Sequence, residues 1–329
     1  MKRGDRDDQI KRDVKDSKIK EQVEMTERTK ININKMKKYI DLSGCGTALI
    51  TPFKDGAVDY DAFAALVDRQ VAAGVDVLVP LGTTGETPCL EDEERIKILQ
   101  ITKEHSNGLP IIVGGGTNSL QHTIRSMKQL EPYGVDAFLI VVPYYNKPTQ
   151  EGQYQYFKAV AESTEKPIVL YNVPGRTGVN MTAETTLRLA QIDNIVAIKE
   201  ASGNKDQIME ILRNAPEGFQ VLSGNDDDTL WMMENGGAGI ISVASNIAPK
   251  QLADFVDAIR GGYREKAYKY NADLTPLFNN CFVESNPIPA KAAMNAMGLI
   301  ENELRLPLVP SQQSTYDLMV ATIRDLGLI

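Results

Sequence analysis

The sequence predicts an α/β fold, a (β/α)8 TIM barrel followed by a C-terminal helical appendage. Three observations carry that prediction. Eight short apolar runs, rich in Val and Ile and bounded by Gly or Pro, recur from residue 44 onward. A longer amphipathic stretch separates each run from the next, the pattern of right-handed βαβ units. The composition of the runs does not change along the series, which favours one closed barrel over a doubly wound sheet.

The apolar runs cover 47–50, 75–80, 110–113, 137–142, 167–171, 195–199, 219–222 and 239–243. Each has the length and β-branched content of a strand buried on both faces. Helical patterns fill 58–73, 91–105, 119–131, 150–163, 182–190, 205–214, 226–234 and 249–259. The first places Phe63, Leu66, Val67 and Val71 on one face, at helical spacing. The second opens on Glu91-Asp92-Glu93-Glu94, and acids favour a helix N-terminus. Three further helices are expected at 263–280, 289–297 and 311–326. No linker rich in Pro, Gly or Ser precedes them, so the expected division is a barrel over 41–262 and packed C-terminal helices over 263–329. Residues 1–40 mix both charge signs without apolar periodicity, the composition of a disordered arm.

The chain has 329 residues, which exceeds an ordinary domain, but a barrel uses about 250 residues as one unit. Net charge is −8, made of an arm at +5 and a body at −13. An acidic body is a poor surface for nucleic acid or an anionic membrane, and no apolar run approaches the length of a membrane span. The expectation is a cytoplasmic protein. Cys45, Cys89 and Cys281 form no CxxC pair, in keeping with a reducing compartment. Only His105 and His122 are present, which rules out a zinc site built from several histidines and leaves little for a Ser/His/Asp triad. The glycines at 114–116 and 236–239 lack dinucleotide-binding spacing. The three acids of Asp226-Asp227-Asp228 would repel a phosphate.

In a (β/α)8 barrel the site lies at the C-terminal ends of the strands. Lys199 stands out, because it ends the apolar run Ile195-Val196-Ala197-Ile198. Residue type alone leaves two readings: a lysine paired with Glu200 or reaching out to solvent, or a functional amine in an apolar pocket. A desolvated amine is in part neutral near pH 7 and attacks a ketone to form a Schiff base, an electron sink that needs no metal. Tyr171 ends the adjacent strand and is either a proton carrier or a core aromatic. Thr83 and Thr84, between glycines, suit a carboxylate or cap a helix. Arg176 suits a second carboxylate or stands in a solvated loop.

Five segments taken together, Gly82-Thr83-Thr84-Gly85-Glu86, Pro143-Tyr144-Tyr145-Asn146, Tyr171-Asn172-Val173-Pro174-Gly175-Arg176-Thr177-Gly178, Ile198-Lys199-Glu200-Ala201-Ser202-Gly203 and Asn286-Pro287-Ile288-Pro289-Ala290-Lys291, resemble the dihydrodipicolinate synthase family. Its members are also called 4-hydroxy-tetrahydrodipicolinate synthases and belong to the pyruvate-dependent class I aldolase superfamily. The similarity runs from about 44 to 329. It implies condensation of pyruvate with L-aspartate-4-semialdehyde, the first committed step of the diaminopimelate route to lysine, with no cofactor beyond the Schiff base. Lys199 would form that imine, and Tyr171, Thr84 and Tyr145 would form the proton relay. Thr83 and Thr84 would hold pyruvate, Arg176 the semialdehyde carboxylate, and Gly224 and Ile241 would line the pyruvate pocket. Tyr145 would reach into a neighbouring subunit, so a homodimer or homotetramer is implied.

Lysine-inhibited relatives carry an allosteric site matched here by Asn118 and Tyr144. Where those relatives have a glutamate this chain has His122, and Arg95 replaces a histidine. Weak or absent lysine feedback is the expectation. The nearest rival functions are N-acetylneuraminate lyase and the 2-keto-3-deoxy-sugar-acid aldolases, which share the lysine and tyrosine. The acidic-aldehyde reading rests on Arg176.

Overall fold

The computed structural model describes residues 40–329; the arm expected over 1–40 lies outside the described residues except for Ile40. Ile40 and Leu42 are held at the start of the fold by the Gln220 side chain, which donates to one carbonyl and accepts from the other amide. Eight parallel strands follow: β1 (Gly44–Ala48), β2 (Val77–Val79), β3 (Ile112–Gly114), β4 (Ala137–Val141), β5 (Ile168–Asn172), β6 (Ile195–Glu200), β7 (Gln220–Ser223) and β8 (Gly239–Ser242). Their order is β2-β1-β8-β7-β6-β5-β4-β3. A parallel bridge between Leu78 and Ile111 joins the two ends, so the sheet closes into a barrel. The closure is tight. A Cβ on Gly114 would lie 1.8 Å from the Leu81 carbonyl oxygen, so only glycine lets β3 approach β2 there.

The intervening helices are α1 (Tyr60–Ala73), α2 (Asp92–His105), α3 (Leu120–Leu130), α4 (Gln150–Glu162), α5 (Ala183–Leu189), α6 (Lys205–Asn214), α7 (Thr229–Glu234) and α8 (Pro249–Arg260). Local chemistry sets several starts. The Asp59 carboxylate caps α1, the Thr149, Thr182 and Asn204 side chains cap α4, α5 and α6, and Glu91 with Glu94 forms a capping box on α2. After the barrel come α9 (Arg264–Asn280), α10 (Ile288–Ala296) and α11 (Gln313–Asp325), with α9 packed on α8 and both α9 and α10 on α11. The core is continuous from barrel to appendage, with Phe63, Phe138, Phe157, Phe255 and Phe278 all buried in one cluster.

Three details depart from the expected elements. A two-strand hairpin, Phe53–Lys54 with Ala57–Val58, precedes α1. The first strand begins at Gly44 rather than 47, because its pairing with β8 starts there. The helix expected from 226 begins as a 3-10 turn, Asp226–Asp228. Asp226 turns inward instead, accepting hydrogen bonds from the Ser242 hydroxyl and from the amides of Val243 and Ala244.

Candidate active site

Strand register builds the site. Tyr171 on β5 and Lys199 on β6 are directly paired, and the next pair is Asn172 with Glu200. Successive strand residues face opposite ways, so the first pair shares one face of the sheet and the second pair the other. Lys199 Nζ accordingly sits over the Tyr171 ring, 4.7 Å from its centroid. Lys199 is 5% exposed, so its amine lies against the aromatic face largely out of water. Glu200 faces away from it. Its carboxylate accepts hydrogen bonds from Asn172 Nδ2 at 3.1 Å, the Ser202 amide at 2.7 Å and Gln207 Nε2 at 3.4 Å. Of the two readings open for Lys199, pairing with Glu200 is therefore excluded. Burial pushes the Glu200 carboxyl above the usual carboxylate range, with those hydrogen bonds opposing it.

Gly224, after β7, makes room for the lysine. A Cβ there would lie 2.6 Å from Ala201 Cβ, 3.1 Å from the Glu200 carbonyl oxygen and 3.2 Å from Lys199 Cε.

These residues face a cavity of about 50 Å³ at the C-terminal mouth of the barrel, where Thr83, Thr84, Tyr171, Arg176, Lys199 and Gly224 meet. A water-sized group needs roughly 10–15 Å³ in that measure, so the space suits a ligand of a few heavy atoms. Thr83 and Thr84 lie on a 3-10 turn, Thr83–Gly85, fastened by the Thr87 and Thr51 hydroxyls, which donate to the Gly82 and Gly85 carbonyls. Arg176 rides a single helical turn, Pro174–Thr177, and its Nη2 donates to the Asn286 carbonyl at 3.2 Å.

The structure thus brings together Lys199, Tyr171, Thr83, Thr84, Arg176 and Gly224. Two expected members stand apart. Ile241 is buried in β8 but does not line the cavity, and Val243, two residues on, does. Tyr145 is 87% exposed and stands in a left-handed conformation, φ 72°, away from its own chain's cavity. Asn286 and Phe282, from the segment between α9 and α10, also line the cavity. Asn286 heads one of the five segments that carry the resemblance but was given no role in the site, and Phe282 was not singled out at all, because a loop after the eighth βα unit has no strand end to flag it.

Of the positions matched to an allosteric site, Asn118 Nδ2 donates to the Tyr144 carbonyl at 3.3 Å, and His122 lies exposed in the first turn of α3. Arg95 is drawn back onto its own helix start, donating to the Thr87 carbonyl and pairing with Asp92. Among the described residues no group of three or more His, Cys, Asp or Glu could hold a metal ion, and no helix is long and apolar enough to cross a membrane.

A closed parallel barrel whose strand ends gather an amine, a phenol, two hydroxyls and a guanidinium around a small cavity is the architecture of a (β/α)8 enzyme. Residues 41–326 match the model of the dihydrodipicolinate synthetase family, and the chain belongs to that family of lyases. The 4-hydroxy-tetrahydrodipicolinate synthase of Thermotoga neapolitana is 49% identical over 87% of this chain and 99% of that protein. The crystal structure of dihydrodipicolinate synthase from Thermotoga maritima superposes with a TM-score of 0.87 at 47% identity, covering 88% of this chain and 100% of that one. The enzyme from Acinetobacter baumannii, solved as a pyruvate complex, superposes with a TM-score of 0.85 at 40% identity, over 88% and 100% of the two chains.

Proposed function

We propose that this chain is a 4-hydroxy-tetrahydrodipicolinate synthase that condenses pyruvate with L-aspartate-4-semialdehyde through an imine on Lys199. The observation that carries the reading is Lys199, buried against the Tyr171 ring in a small cavity that Thr84 and Arg176 also line. Neutral Lys199 adds to the pyruvate ketone carbon, and the resulting carbinolamine loses water to give a cationic imine. Loss of a methyl proton then places an electron pair on carbon as an enamine, which attacks the aldehyde carbon of the second substrate. The aldehyde oxygen takes up a proton, and the semialdehyde's own amino group adds to the re-formed imine carbon, closes the ring and expels Lys199 as the free amine. Tyr171, flanking the amine, carries protons in and out of these steps, and Thr84 lines the same cavity.

Both substrates are carboxylates, and the acidic body gathers its donors at this one place. Thr83 and Thr84 suit the pyruvate carboxylate, and Arg176 the carboxylate of the semialdehyde. A cavity of about 50 Å³ suits a small keto acid at Lys199. No cofactor is called for, since the imine supplies the electron sink. Tyr145, exposed and backbone-strained on its own chain, is suited to complete the site of a second copy. A homodimer is then the minimal active unit and a homotetramer the fuller assembly, acting on small molecules in the cytoplasm.

Borohydride reduction in the presence of pyruvate tests the reading directly. The expected product is a stable adduct on Lys199 that is absent in Lys199→Ala. An unmodified Lys199 would end the aldolase mechanism. A coupled assay with aspartate semialdehyde, N-acetylneuraminate and 2-keto-3-deoxygluconate tests the substrate, and equal turnover of a sugar acid would overturn the choice.

A further inference from the structure

Asn286 belongs to the turn between α9 and α10, outside the eight βα units, yet it lines the cavity and is 4% exposed. Its side-chain amide donates to Thr84 Oγ1 at 2.9 Å. Its main-chain carbonyl accepts from Arg176 Nη2 at 3.2 Å. Its side-chain oxygen is buried and has no hydrogen-bond partner among the described residues. One residue of the appendage therefore touches both groups assigned to substrate carboxylates and still offers an open acceptor.

A threonine hydroxyl has one proton and two acceptor lone pairs. With one lone pair engaged by the Asn286 amide, the Thr84 proton is turned away from Asn286 and towards the remaining directions. The anchorage behind this contact is strong. Lys291, on α10 one turn beyond Asn286, forms a fully buried ion pair at 2.6 Å with Glu86, the residue that ends the threonine turn. Lys291 also donates to the Glu303 carbonyl at 2.9 Å. The α10 segment thus grips the threonine turn at two points, Thr84 and Glu86.

We infer that Asn286 is a positioning residue for the proposed condensation, orienting the Thr84 hydroxyl for proton transfer while its main chain steadies Arg176. The inference rests on the Schiff-base reading above. The side-chain contact and the main-chain contact separate experimentally. Asn286→Ala removes the amide but keeps the carbonyl. It should lower kcat about tenfold, the scale of one oriented hydrogen bond, and change KM for the aldehyde by less than about threefold.

The test uses the full chain and compares wild type, Asn286→Ala, Asn286→Asp, Thr84→Val and the Asn286→Ala/Thr84→Val double variant, with active sites counted by borohydride trapping of pyruvate. The carboxylate of Asn286→Asp cannot donate to Thr84 and would capture its proton, so its kcat per trapped site should fall at least as far as that of Asn286→Ala. Because Asn286 acts through Thr84, the double variant should be no slower than Thr84→Val alone. Wild-type kcat per trapped site in Asn286→Asp, or a double variant slowed by the product of the two single effects, would overturn the inference. A lower melting temperature with unchanged kcat per trapped site would mark Asn286 as merely structural and overturn it too. Failure of the wild-type chain to trap pyruvate would instead overturn the Schiff-base reading.

Discussion

Gly224→Ala is the substitution that most directly probes how the barrel makes room for its lysine. The added methyl would stand 2.6 Å from Ala201 Cβ and 3.2 Å from Lys199 Cε. Carbon atoms in ordinary contact are about 3.5–4.0 Å apart, so Ala201 must retreat by about 1 Å and the lysine stem by about half as much. The lysine stem can swing aside, but Ala201 Cβ and the Glu200 carbonyl of β6, at 3.1 Å, are fixed to the backbone. Overpacking of this kind costs about 1–3 kcal/mol. That corresponds to a melting temperature lower by several degrees, at roughly 2–4 °C per kcal/mol for a chain of this size. Displacement by about 1 Å can cost as much as about 100-fold in rate, so the half-ångström shift at Lys199 should slow imine formation about tenfold. The assay is the rate of borohydride-trappable adduct formation at saturating pyruvate, read beside thermal unfolding. Trapping at the wild-type rate with an unchanged melting temperature would refute the argument that Gly224 exists to admit the lysine.

Four further outcomes follow from the structure. Lys291→Met leaves Glu86 charged, buried and unpaired, and should destabilise the chain by about 3–5 kcal/mol in denaturant unfolding, with most of the loss recovered in Glu86→Gln/Lys291→Met. Burial brings the Lys291 ammonium down to about 8, so the unfolded chain binds more protons there above that pH, and this site's contribution to stability should rise as pH climbs from about 8. Glu200 has the opposite sign: its carboxyl is raised on folding, so the folded chain holds the proton longer and the site's contribution falls as pH rises past the ordinary glutamate range. The melting temperature of Glu200→Gln relative to wild type should therefore increase between pH 4.5 and 7, and a flat difference would refute the burial argument. Free lysine should inhibit weakly, because the exposed His122 cannot pair with an ammonium as a glutamate would, and half-maximal inhibition at sub-millimolar lysine would refute that.

The barrel was legible because its signal is local. Buried parallel strands read as Val- and Ile-rich runs, and β4, β5 and β6 fall within a residue of the runs expected at 137–142, 167–171 and 195–199. Lys199 was legible for the same reason, as a charge placed where apolar residues belong. The hairpin at Phe53–Lys54 was not, since two-residue strands carry no periodicity. The inward turn of Asp226 was hidden because an acid run at a helix start looks the same whether it is solvated or bonded to Ser242.

The sequence by itself determined the order of strands and helices, the family, and which lysine and tyrosine end adjacent strands. Tertiary structure alone decided which way those side chains face. A shift of one residue in the β5–β6 register would have set Lys199 among the helices and Glu200 over the cavity. It alone showed that Ile241 yields the cavity wall to Val243, that Tyr145 leaves its own chain's site, and that Asn286 enters it. These are contacts between segments far apart in the chain, Asn286 and Thr84 being 202 residues distant. No local pattern encodes such a meeting, because it exists only once the barrel has closed and the appendage has packed against it.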